Sequence, residues 1–229
     1  MKVLRSGSWS GAAGKARSGA EPKQMNDVNY LIVVVLGYVI GSIPNGLIVG
    51  KLIRGVDIRQ YGSGNIGATN AYRVLGAGPA LAVLVTDILK GMLGVWLGQI
   101  FLGTVAGQIA GGIAAIAGHN WSLFLKFKGG RGVATGLGVI ALLAPKPTLA
   151  LFVLWAAVVY FTRYVSLGSI LAAAAAPAAV WLSGAPRELF WFVVAAAAFV
   201  IFRHRPNIER LLAGRELKIG AAGSERPKE

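Results

Sequence analysis

Long apolar runs, separated by short stretches dense in glycine, asparagine and basic residues, are the first pattern along this chain. The runs lie near residues 28–50, 79–101, 103–118, 132–145, 148–162, 166–183 and 187–203. A helix needs about 20 apolar residues to cross the hydrocarbon core of a bilayer. The pattern therefore predicts an all-α, polytopic membrane protein with seven transmembrane helices. Several runs are short. The fourth and fifth meet at "APKPT", where Pro145 and Pro147 force a tight break. The sixth and seventh meet at "SGAPRE". A five-span reading would fuse or drop the short runs.

Composition supports the membrane reading. The 229 residues are 55% hydrophobic and only 14% charged, against about 25% charged in an average soluble domain. Mean hydropathy is +0.62. The charges are lopsided, 23 Lys and Arg against 9 Asp and Glu, a formal +14. Such an excess suits nucleic acid, anionic headgroups or an anionic small substrate. Nucleic acid is disfavoured, because the basic residues lie in short loops between apolar runs. With no cysteine, disulfides, thiolate–zinc sites and thiol nucleophiles are excluded.

Basic residues near the span ends set orientation. Alternate loops carry Lys51, Arg54, Arg59 and Arg73; Lys126, Lys128 and Arg131; Arg163; and Arg203, Arg205, Arg210, Arg215 and Lys218. The opposite loops carry only Lys146 and Arg187. Seven spans then put the N-terminus outside and the basic loops and C-terminus in the cytoplasm. Residues 1–24 conflict with this, since Lys2, Arg5, Lys15, Arg17 and Lys23 favour the cytoplasm. Their Gly, Ser and Ala content predicts a disordered leader. Met25 opens "MNDVNYLIVVVLG" as an alternative start, which would make the leader a start-site artefact. A cleaved signal peptide fits less well, because the apolar run is too long. The membrane domain is expected over 25–218, followed by a disordered tail at 219–229.

Four polar stretches fall on the same predicted face: "GSGNIGATN" (62–70), "GHNWSLFLKFKGGRGVATG" (118–136), the stretch from Arg163 to Ile170, and "RHRPNIERLLAGRE" (203–216). Any one of them could simply end a helix with glycine and anchor it with cations. Four on one face suggest one composite site at the membrane surface. In the first, glycines allow backbone N–H groups to converge on an anion, and a helix N-terminus follows. Ser63, Asn65, Thr69 and Asn70 add neutral donors there, and Arg73 adds a fork suited to phosphate. The second repeats the logic, with Gly129, Gly130 and Gly132 set around Lys128 and Arg131. It is not a Walker A loop.

Within the second span, "DILKG" places Asp87 and Lys90 three residues apart, on one helix face where they can pair. Charges inside a span are rare and usually functional, although a pair that only fixes helix packing is an equal reading. His119 and His204 are the only imidazoles. Without a carboxylate cluster they make no metal site, so no metal is expected. Neither a Ser-His-Asp order nor the H-x-x-x-x-D pattern of soluble acyltransferases is present. The inventory is anion donors, an imidazole and no covalent nucleophile, which suits an already activated substrate. An anion transporter with a glycine-lined site, or a non-catalytic lipid-binding scaffold, stays open at this point.

Taken in order, "GSIPNG", "GVDIRQYGSGNIGATNAYRVLG", "DILKG", "GHNWSLFLKFKGGRGVATGLG", "RYVSLGSI" and "HRPNIERLLAGRE" resemble the bacterial integral-membrane acyl-phosphate:glycerol-3-phosphate acyltransferases. The resemblance spans roughly 30–218. It implies seven spans, an outside N-terminus and a cytoplasmic active site in the bacterial inner membrane. It implies acyl transfer from acyl phosphate to the 1-hydroxyl of glycerol 3-phosphate, with lysophosphatidic acid and phosphate as products, and no cofactor. Functional coupling to an acyl-phosphate-forming enzyme is the protein partnership it allows. The same resemblance assigns His204, Asn207 and Ser166 to catalysis. It points to Ser63, Arg73 and the loop of Lys128, Gly129, Gly130 and Arg131 for phosphate binding, to which the chemistry of the first loop adds Gly64, Asn65 and Thr69. Two departures stand out: Arg131 occupies a position where relatives often have lysine, and Ser122 replaces a common proline, which is expected to loosen that turn.

Overall fold

The computed structural model describes residues 22–220; the predicted leader, apart from its last three residues, and the tail beyond Gly220 lie outside the described residues. Within them the chain is wholly helical, with α1 (Pro22–Ser42), α2 (Asn45–Arg54), α3 (Ala68–Leu75), α4 (Ala77–Leu102), α5 (Val105–Asn120), α6 (Val133–Leu143), α7 (Pro145–Thr162), α8 (Val165–Leu182), α9 (Arg187–Arg203) and α10 (Arg205–Leu212). Single 3-10 turns add Ile58–Gln60 and Leu123–Leu125. Because α1 starts at Pro22, the predicted boundary at 24 falls inside a helix. The boundary at 218 also shifts slightly, since the Ile219 amide donates to the Arg163 carbonyl at 2.7 Å.

All seven apolar runs become helices, but α5 and α6 fall short of the length that marks the others. Four segments, 26–54, 77–102, 145–162 and 165–182, are long and apolar enough to cross a bilayer, and α9 with α10, bent by 54°, would make a fifth. The 16 residues of α5 and 11 of α6 reach only about 24 and 16 Å at 1.5 Å per residue. The first run is also not one helix. Pro44 has no N–H to donate into the ladder and its ring crowds the preceding turn, so the chain breaks between α1 and α2. Then α2 continues to Arg54, where Gly55 ends it in the left-handed region at φ 67°.

At the centre is α4, packed against α1, α5 and α6. Its glycines bring backbone onto backbone. A Cβ added at Gly94 would lie 2.4 Å from the Gly111 carbonyl oxygen, and one at Gly98 would lie 2.1 Å from that of Gly107. Small residues four apart on each helix permit such an approach. The same pairing makes α4 and α5 antiparallel and nearly flush where they join. Being ten residues longer, α4 therefore rises about 15 Å beyond the end of α5 at its other end. The loop joining α5 to α6 is recessed beside that overhang. A second layer, α7–α8–α9, closes against α5 and α6 around Val139, Leu151, Val180, Phe192 and Val193.

A smaller core holds the overhang. Ile58, Ala71, Leu75, Ala80 and Val83 pack together, flanked by Val49, Val56, Ala68 and Val74. It joins α2, the 3-10 turn at 58–60, α3 and the start of α4, and so fixes both ends of the first polar loop.

The glycine seam should be intolerant of volume. In Gly111→Ala the new methyl would meet the Gly94 carbonyl oxygen at 1.9 Å, and overpacking of this kind typically costs about 1–3 kcal/mol. Its melting temperature in detergent should fall by several degrees. Gly78→Ala on α4 meets open space and should melt at or above the wild-type temperature, since Ala outranks Gly in a helix by about 0.8–1.0 kcal/mol.

Candidate functional site

Four polar stretches meet at the recessed end of the bundle. The first and second loops face one another across a hollow of about 420 Å³ lined by Ser63, Gly64, Asn65, Gly129, Gly130, Arg131, Phe202, Arg203, Arg205 and Pro206. A neighbouring hollow of about 400 Å³ shares Gly64 and Gly129 and adds Asp57, Arg59, Gln60, Ile66 and Lys128. Thr69, Arg73, Ser166, His204 and Asn207 line neither.

The first loop is shaped by one side chain. Asn70, 1% exposed, donates to the carbonyls of Ile58 (2.8 Å), Asn65 (2.9 Å) and Tyr61 (3.3 Å). Its Oδ1 accepts from the Ser63 amide at 2.7 Å and the Ser63 hydroxyl at 3.1 Å. The Gly64 amide donates to the Tyr61 carbonyl. Asn70 is thus the loop's internal scaffold rather than a donor to a ligand, which corrects the expectation from sequence. The Ser63 and Gly64 amides are likewise used within the loop, so an anion nest cannot be built from that pair. Gly62 and Gly64 take φ values of 55° and 74°, a region that favours glycine.

The second loop is held from both sides. The Gly130 amide donates to the His119 carbonyl at 3.0 Å, and the Gly130 carbonyl accepts from Arg203 at 2.6 Å. Ser122 does not loosen its turn. Buried at 1% exposure, it donates to the Ser42 carbonyl and ties the turn to the end of α1.

The remaining expected residues gather around Glu216, which sequence reasoning passed over. Its side chain is 5% exposed. One oxygen accepts from Ser166 at 2.8 Å and Asn207 at 2.6 Å, and the other from Arg210 at 2.7 Å. One residue on, the Leu217 carbonyl accepts from Arg73 at 2.9 Å. Burial alone would raise the Glu216 pKa, but the hydrogen bonds from Asn207, Ser166 and Arg210 outweigh it and hold the carboxyl below its ordinary 4.5. Burial is also the main force on the cations. It lowers Arg73, opposed by Glu216, and pushes Arg131 down to about 10, with Arg210, Arg73 and Arg203 adding and Glu216 opposing. Both guanidiniums remain charged at neutral pH. An oxyanion thus already sits among Arg73, Arg131 and Arg210.

His204, 2% exposed, caps α9. Its Nδ1 lies 2.7 Å from the Val200 carbonyl, so Nδ1 carries the proton and donates, leaving Nε2 as an acceptor. Burial, with Arg131 and Arg203 adding to it, lowers its pKa to about 4 against the opposing carbonyl bond and Glu216. The imidazole is neutral at physiological pH. Among the described residues, Arg73 Nε, Arg203 Nε, Asn65 Oδ1 and Asn207 Oδ1 are buried without hydrogen-bond partners. Such groups are costly unless something else satisfies them.

Arg203, Arg210 and Glu216 are the main residues that the sequence reading did not assign to the site. Glu216 left a faint signal, as one of only 9 acidic residues in a chain of net charge +14, at the end of a basic stretch.

A recessed, cation-walled hollow at one end of an apolar helical bundle defines a membrane-embedded protein that handles oxyanions. Comparison with known proteins narrows this class. The family model described as Glycerol-3-phosphate acyltransferase matches residues 31–214. Glycerol-3-phosphate acyltransferase 2 of Moorella thermoacetica is 52% identical over 191 residues, 83% of this chain and 98% of that protein. The glycerol-3-phosphate acyltransferase of Fusobacterium nucleatum is 47% identical over 82% of this chain and 97% of its own. The crystal structure of PlsY, an integral membrane glycerol 3-phosphate acyltransferase, in its glycerol 3-phosphate form superposes with a TM-score of 0.79 at 39% identity, covering 83% of this chain and 96% of that one. Its lysophosphatidic acid form gives 0.77 at 38% identity. This chain belongs to the glycerol-3-phosphate acyltransferase family.

The Glu216 contacts predict an acid-sensitive site. A carboxyl whose folded pKa is depressed contributes stability that is present above its unfolded pKa and lost as pH falls through the folded value. Melting temperature should therefore drop as pH is lowered below about 4.5. Glu216→Gln should start lower at neutral pH and lose part of that dependence, as read by thermal melts across a pH series.

Proposed function

We propose that this protein transfers a fatty acyl group from acyl phosphate to the 1-hydroxyl of glycerol 3-phosphate, forming lysophosphatidic acid and inorganic phosphate. In this reading it lies in the bacterial inner membrane with seven spans, an outside N-terminus and the site at the cytoplasmic face. The observation that carries the reaction is the meeting of two glycine loops across one hollow walled by Arg131, Arg203 and Arg205, with a second hollow adjoining at Gly64 and Gly129. Adjoining hollows beside several guanidiniums suit two phosphate-bearing substrates that repel each other. The protein's main task is then to hold two anions together and offset their charge.

The glycerol hydroxyl oxygen attacks the acyl carbon, and the bond from that carbon to the phosphate oxygen breaks. Acyl phosphate is a mixed anhydride with a good leaving group, so no covalent nucleophile is needed. The hydroxyl proton passes to the departing phosphate. An imidazole with a pKa near 4 is a weak acceptor at neutral pH, which favours this substrate-assisted route over His204 as base. His204 Nε2 and Asn207 Oδ1 orient glycerol 3-phosphate by accepting from its hydroxyls, and Ser166 acts through Glu216.

A two-substrate assay on purified protein tests the reading. Acyl phosphate should be consumed only when glycerol 3-phosphate is present, and acyl-CoA should not replace it. Consumption without dependence on glycerol 3-phosphate would overturn it. Arg73→Ala should cut catalytic efficiency by well over tenfold in a folded protein, since it removes a cation beside Glu216 and frees the Leu217 carbonyl that Arg73 holds. Wild-type kinetics would remove Arg73 from the site. Arg131→Lys should be tolerated.

For His204→Gln, a raised KM for glycerol 3-phosphate is expected, with kcat down less than about a hundredfold, below the about 10²–10⁴-fold that a general base contributes. A kcat loss beyond about a thousandfold with unchanged binding would make His204 the base. Because His204 gains a proton only as pH falls toward 4, any limb of the kcat/KM profile at about pH 6 belongs to the substrate phosphate and should persist unshifted in His204→Gln.

A further inference from the structure

Asp87 and Lys90 form a buried ion pair on α4, with side chains 2% and 4% exposed and Nζ 2.9 Å from Oδ1. Two further donations lock the pair to the break between α1 and α2. Asn45 Nδ2 donates to the same Asp87 Oδ1 at 2.9 Å, and Lys90 donates to the Ile43 carbonyl at 3.1 Å. His119, from the end of α5, is the fourth member. Its Nδ1 is 3.9 Å from Asp87 Oδ1 and has no hydrogen-bond partner among the described residues.

The other edge of His119 meets the second glycine loop. A Cβ added at Gly130 would lie 2.1 Å from His119 Nε2, and one at Gly129 would lie 2.1 Å from the His119 carbonyl oxygen. Gly130 also donates to that carbonyl and accepts from Arg203. A continuous line of contact thus runs from the ion pair, through the imidazole, to the two glycines that line the hollow. Stability alone is a poor reason for such a pair, because well-packed hydrophobic residues of similar volume often serve as well or better. A fixed, shared anchor for a helix break and a loop floor is a reason that apolar side chains cannot supply.

We propose that Asp87, Lys90, Asn45 and His119 act as a positioning unit that sets the height of Gly129 and Gly130 in the hollow. The unit touches no substrate; it acts through His119 on the loop. Its kinetic consequence rests on the acyl-transfer reading above, whereas its structural consequence does not.

The double variant Asp87→Asn/Lys90→Met removes both charges at similar volume. In the folded, purified protein, KM for at least one phosphate substrate should rise more than about tenfold while kcat changes less than about threefold. Amide hydrogen exchange over residues 128–132 should speed up about tenfold or more, with exchange in α7 and α8 unchanged. Wild-type KM for both substrates together with wild-type exchange at 128–132 would overturn the proposal. Should the double variant fail to fold, His119→Ala removes the floor while keeping the ion pair, and must give the same KM rise and the same local loss of protection. Wild-type values there would equally overturn it. The exchange measurement needs no turnover, so a wild-type protein inactive with both substrates would refute the reaction and leave this coupling to be judged on exchange alone.

Discussion

Backbone-to-backbone contact along α4 is the constraint from which the site follows. Gly94 and Gly98 meet the carbonyls of Gly111 and Gly107 on α5, while Gly91 meets the Thr135 carbonyl and Gly138 meets the Ile88 carbonyl at the α6 contact. With no side chains between them, the three helices have one register. That register brings His119 level with Asp87 and delivers the second glycine loop beneath the overhang of α4. The first loop descends onto it from the small core around Ile58. Neither loop is long or apolar enough to hold itself there; the helices place both.

The electrostatics follow from the recess. Arg73, Arg131 and Arg203 are each destabilised as cations by burial, or left with an unpartnered Nε. Cations in that state gain most from an anion, because little water competes for it and the local dielectric is low. Glu216 offsets part of this charge from within the chain. It also ties α8, α10 and the segment after α10 together through Ser166, Asn207 and Arg210. The tail is therefore a wall of the site, not an appendage to it.

What could be read from the sequence divides along physical lines. Apolar runs report burial in lipid or protein, so the long helices of the bundle were visible in them, whereas α3 and α10, set in the polar stretches, were not. They do not report length limits set by packing. Hence α6 stops at 11 residues, and the break at Pro44 lay hidden in a run that stays apolar on both sides. Charge asymmetry along the chain was enough to group the four polar stretches, and the structure gathers them at one end. The pairing of Asp87 with Lys90 was legible because helix geometry alone puts them on one face. Asn70 was misread, since its role depends on three carbonyls that only a folded loop presents. Glu216 was missed because its partner Ser166 is 50 positions away.

The unequal heights of the helices carry a consequence for the surrounding lipid. A 26-residue α4 beside an 11-residue α6 gives the bundle one wall of about 39 Å and another of about 16 Å. A bilayer of uniform thickness of about 30 Å cannot match both, so lipid meeting the low side would have to thin or tilt. Headgroups there would then lie closer to the level of the glycine loops. An amphiphile with a polar end and a fatty tail could then slip sideways from the leaflet into the hollow without first leaving the membrane. Bilayer thickness itself would become a determinant of how quickly it arrives.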